Sequence, residues 1–131
     1  MMDIQFFDDP SQSPRSRADV CFKQIGLYVY EDQRRVAFGV ELTPFLERPC
    51  IEVHITNADG VRAGSLNVIE TLTPNFTLTM HLRDQAVTDP YTLTATIYYA
   101  HPENGRVDVH SETLTLNAGE IGEHLYHFDA G

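Results

Sequence analysis

Tryptophan is missing from this chain of 131 residues, and cysteine occurs only at Cys21 and Cys50. Two cysteines so far apart form no Cys-x-x-Cys unit, which excludes the common zinc and dithiol redox motifs. No apolar run approaches the ~20 residues that a membrane-spanning helix requires. The opening Met-Met-Asp-Ile-Gln-Phe-Phe-Asp-Asp-Pro has neither the basic region nor the apolar centre of a secretory leader. A cytoplasmic protein with two reduced thiols is therefore the expectation. Cations are scarce too: nine Lys and Arg face nineteen Asp and Glu, for a formal charge of −10. A field of that sign repels phosphate backbones and anionic lipid, so neither nucleic acid nor membrane is expected as a partner.

What is present is alternation. Tyr91-Thr-Leu-Thr-Ala-Thr-Ile-Tyr-Tyr99 puts Tyr91, Leu93, Ala95, Ile97 and Tyr99 on one side. Thr92, Thr94, Thr96 and Tyr98 take the other, the pattern of a strand with one buried face. Val36, Phe38, Val40 and Leu42 repeat it, as do Ile51, Val53 and Ile55, then Leu66 and Val68, and the run Phe76 to Leu82. The first strand changes parity between Phe22 and Ile25, and the last does so near Ser111 and Glu112, which predicts bulges or crossings between sheets. Asn57-Ala-Asp-Gly60 reads as a hairpin turn, with Asn bonding its own backbone and Gly supplying a positive φ.

Seven strands with turns about every ten residues predict an all-β, seven-stranded antiparallel sandwich over residues 19–117. Residues 1–18 read as a polar arm carrying one apolar patch (Ile4, Phe6, Phe7), and residues 118–131 as an irregular tail. In that tail Ile121, Leu125 and Phe128 have the spacing of one helical face, although Gly122 weakens any helix there. The expected inward set is Leu27, Val29, Phe38, Val40, Val53, Ile55, Leu66, Val68, Leu78, Met80, Leu93, Ala95 and Ile97.

On the Ile51-Glu-Val-His-Ile-Thr-Asn-x-x-Gly60 hairpin and on Asp89-Pro-Tyr-Thr-Leu93, the chain resembles bacterial immunoglobulin-like sandwiches of the fibronectin type III kind. The resemblance spans Val20 to Leu116. It implies that Tyr91 hydrogen-bonds to backbone across its corner. It departs from antibody domains in lacking Trp and in having Leu93 where a sheet-linking Cys would stand. The likeness is one of architecture and implies no activity.

Candidate chemistry is thin. His124, His127 and Asp129 form a His-x-x-His-x-Asp cluster that a helical turn would converge on a metal. A small-ligand or metal-binding protein built on His124, His127 and nearby carboxylates is thus the alternative reading. The cluster sits in the tail with no Cys partner, so neither metal nor cofactor is expected. His54 and His81 fall on strands assigned to different sheets. Ser65 and Ser111 lack a Gly-x-Ser-x-Gly setting, and the carboxylates scatter over loops and strand exteriors. Asn75-Phe-Thr77 matches a glycosylation sequon, read as chance. No enzyme is expected. The favoured reading is an interaction or assembly module working through a sheet face or an edge strand. Its candidate contacts are Tyr28, Tyr30, Thr92, Thr94, Thr96 and Tyr98, and its partner another protein or a second copy in a homodimer.

Overall fold

Val36, Phe38, Val40 and Leu42 alternate with Arg35, Ala37, Gly39 and Glu41, and a run of that period buries one row only as a strand. In the computed structural model, which describes residues 13–103 and 105–128, that row is buried and the run is β2 (Arg35–Leu42). The same logic yields β1 (Phe22–Val29), β3 (Cys50–Thr56), β4 (Arg62–Val68), β5 (Asn75–His81), β6 (Tyr91–His101), β7 (Gly105–Leu116) and β8 (Gly122–His127). A 3-10 turn at Arg17–Asp19 precedes them. Ile4, Phe6, Phe7 and Asp129 lie outside the described residues.

The strands form two four-stranded antiparallel sheets, ordered β5-β2-β1-β8 and β4-β3-β6-β7. Their inner faces meet in one core containing Phe22, Ile25, Phe38, Ile51, Ile55, Leu93 and Ile97, all with no exposed surface. The long Thr- and Tyr-rich run of β6 is central to its sheet, between β3 and β7.

The parity change in β1 is a bulge at Lys23, since Phe22 pairs with Leu42 but Gln24 with Glu41. The slip in β7 is also real, but it falls at Val109, between the partners of Ile97 and Tyr98, slightly before the expected place. At the β3–β4 turn the Asn57 side chain accepts hydrogen bonds from the N–H groups of Asp59 and Val61, and Gly60 takes φ +80°.

Three expectations need correction. The sandwich has eight strands, because residues 122–127 of the supposed tail pair along β1 from Gln24↔His127 to Val29↔Gly122. The helical spacing of Ile121, Leu125 and Phe128 gives way to period two, with Tyr126 and Phe128 packed against the core and Leu125 outside. Leu78 has inward phase, opposite Phe38, but stays 41% exposed because β5 is an edge strand. Leu66 and Val68, on edge strand β4, are only partly covered for the same reason. No helix among the described residues is long and apolar enough to cross a membrane.

Candidate interaction surface

Each sheet turns one face inward and leaves one outward, and the sequence-derived contact residues divide between the two outer faces. Thr92, Thr94, Thr96 and Tyr98 lie on β6, in the middle of β4-β3-β6-β7. In register they stand between Thr56, His54, Glu52 and Cys50 of β3 and Thr115, Thr113, Ser111 and Asp108 of β7.

That face is occupied by its own side chains. The Thr96 and Ser111 hydroxyls are 2.9 Å apart, and those of Thr94 and Thr113 3.4 Å. The Tyr98 hydroxyl donates to Asn67 Oδ1 at 2.7 Å, and the Arg106 guanidinium lies 4.1 Å above the Tyr98 ring. Arg106 also donates to Glu52 at 2.7 Å and to Asp108 at 2.6 Å, while His54 Nε2 stands 3.1 Å from Glu52. The hydrogen bond from Arg106 holds the Glu52 carboxyl below its usual range. The result is that Thr96 is 8% exposed and Tyr98 6%, although both have outward phase. A partner would find these two groups already used.

The opposite outer face, on β5-β2-β1-β8, is built differently. Its central row reads Thr77, Gly39, Gly26 and Leu125 across the four strands. Two adjacent glycines at the middle of a sheet remove the side chains that would cover it and leave room for a close approach. Here the flanking side chains take part of that room. A β-carbon on Gly26 would stand 3.1 Å from Leu125 Cδ2, and one on Gly39 3.3 Å from Thr77 Oγ1. What remains is an open trough of about 430 Å³, bordered by Tyr28, Ala37 and Glu123 on one side and Gln24, Glu41 and Asn75 on the other.

Tyr28 and Leu125 rise beside it, 44% and 49% exposed. Tyr28 meets Tyr30 edge to face at 5.1 Å, and Arg35 lies 4.5 Å above the Tyr30 ring while pairing with Asp32 at 2.8 Å. Backbone hydrogen bonds from Arg34 and the Arg35 contact draw the Asp32 carboxyl down to about 2. Of the six expected contact residues, then, only Tyr28 and Tyr30 lie on the open face. Leu125, expected on one helical face of the tail, joins them as a residue of β8, and the pairing of Gly26 with Gly39 went unrecognised. That pairing is a matter of strand register, which sequence spacing does not give.

The histidines do not gather. His124 and His127 are three apart on β8, so their side chains point to opposite faces of the sheet. His54 and His81 lie on β3 and β5, in different sheets. Among the described residues no three His, Cys, Asp or Glu side chains converge as a metal would require.

One histidine has an unforeseen place. His110 of β7 accepts the backbone N–H of Phe22 in β1 through Nδ1 at 2.9 Å, tying one sheet to the other. With Nδ1 the acceptor, the ring proton belongs on Nε2, 2.8 Å from Glu112. Both cysteines are free, and each sulfur is hydrogen-bonded: Cys21 to the Asp19 carbonyl, and buried Cys50 by the Glu70 N–H. No protein-family model matches the chain, and no curated protein does.

Proposed function

We propose that the protein is a non-enzymatic interaction module of immunoglobulin-like, fibronectin type III-like architecture, and that it binds a protein partner through the outer face of β5-β2-β1-β8. The observation that carries this reading is the glycine-floored trough beside exposed Tyr28 and Leu125. A concave patch with an aromatic wall is the kind of surface on which binding energy concentrates.

The architectural part has its own support. β2 pairs with β5 and β3 with β6, so consecutive hairpins cross between the sheets as in Greek-key sandwiches. The Tyr91 ring is buried at its corner, and its hydroxyl accepts the Thr88 N–H and donates to Asp84, both at 3.0 Å. That backbone contact, three residues upstream of the tyrosine, is the one the family resemblance implies.

The test compares baits. Tagged wild type, a Gly39→Thr variant that fills the trough, and a Thr94→Val variant of the opposite face are expressed in the source organism. The proteins that co-purify with each are then quantified. Partners shared by wild type and Thr94→Val but lost from Gly39→Thr are the expected result. Sedimentation of the same three proteins asks whether the partner is a second copy. If neither co-purification nor self-association depends on Gly39, the reading is wrong.

A further inference from the structure

We infer that the trough receives a lysine or arginine side chain presented by the partner. This inference rests on the interaction-face reading above and adds the chemistry of the occupant. The floor is paired backbone at Gly26 and Gly39, whose hydrogen bonds are spent within the sheet. It therefore offers van der Waals surface and no polar recognition, which suits a methylene stem. Neighbouring side-chain rows on one face of a strand are roughly 7 Å apart, about the length of a lysine stem and head.

The rows on either side of the floor each carry a carboxylate. Glu123, in register with Tyr28, stands one row from the floor on one side, and Glu41, on the same strand as Gly39 and in register with Gln24, stands one row from it on the other. None of the residues bordering the trough is Lys or Arg. Lys23 approaches Glu41 at 3.6 Å, and Glu123 makes no ion pair among the described residues. A cation lying along the floor would meet the Glu123 carboxylate and the Tyr28 ring together, joining an ion pair to a cation–π contact. The chain's −10 charge would raise the encounter rate of a basic segment with this face.

The experiment uses the full chain labelled with nitrogen-15 and four capped pentapeptides, Gly-Gly-X-Gly-Gly, with X as lysine, arginine, norleucine or glutamate. Amide signals of Gly26, Gly39 and Leu125 are followed at millimolar peptide. Saturable shifts with lysine and arginine, at least tenfold weaker with norleucine and absent with glutamate, are expected. Glu123→Gln should bring the lysine peptide down to the norleucine level, while Thr94→Val should leave it unchanged. Equal responses to lysine and norleucine would overturn the cationic occupant and leave the interaction face standing as an apolar one. No response to any peptide would also overturn it, and the bait comparison would then decide the face independently.

Discussion

The two outer faces of this sandwich come from antiparallel strands with the same alternation, yet one is closed and the other open. On β4-β3-β6-β7, outward Thr, Ser, Tyr, Arg and Glu side chains find one another in register, so Tyr98 is buried without facing the core. On β5-β2-β1-β8, two glycines meet in register, and although Leu125 and Thr77 take part of the room over them a trough stays open. The lesson is that outward phase does not equal availability. A polar, β-branched face satisfies itself across strands, and a surface left free for a partner is one where side chains are missing.

Truncation should separate the faces most sharply. Tyr98→Ala removes a buried ring, its hydrogen bond to Asn67 and the Arg106 contact. It should cost about 3 kcal/mol, whereas Tyr28→Ala should stay within about 1 kcal/mol. Urea unfolding of both variants checks this, and equal losses would erase the distinction. At intermediate size, Thr96→Val leaves the Ser111 hydroxyl without its partner and should cost about 1 kcal/mol. Gly39→Ala should change stability by less than about 1 kcal/mol in either direction. A β-carbon there needs Thr77 to yield only slightly, and glycine is itself unfavourable in a strand.

The response to pH should be gentler and divided by region. Asp32, held near 2 at the open face's Tyr30 end, and Glu52, lowered on the closed face, both have depressed folded values. Their contributions are therefore complete above the ordinary carboxylate range and fade as pH falls through it, toward about 2 for Asp32. Buried Tyr99 is pushed up to about 12. Its folded state keeps the proton longer than the unfolded chain does, so its stabilisation holds below the normal tyrosine range and drains away as pH rises toward 12. Thermal melts across pH, with ultraviolet titration of tyrosine, read both limbs.

Much of the fold was legible because strand phase is a local property. The buried rows of β1, β2, β3 and β6 follow from alternation alone, and so does the bulge at Lys23. β8 was hidden because six residues with one glycine satisfy helical and extended spacing about equally. Only the free edge of β1 decides between them, and that edge is a tertiary fact. Leu78 misled for a related reason: phase says which way a side chain points, but not whether anything lies over it. The candidate site was less legible still. Gly26 and Gly39 become a floor only once antiparallel register sets one beside the other.

The most direct test of the central claim is hydroxyl-radical footprinting of Tyr28, Leu125 and Tyr98, in the free protein and in the complex that co-purifies with it. The account predicts ready oxidation of Tyr28 and Leu125 in the free protein and their protection in the complex, with Tyr98 slow to react in both. Unchanged oxidation of Tyr28 and Leu125 on complex formation would contradict it, as would protection that appears instead among Thr92, Thr94 and their β7 neighbours.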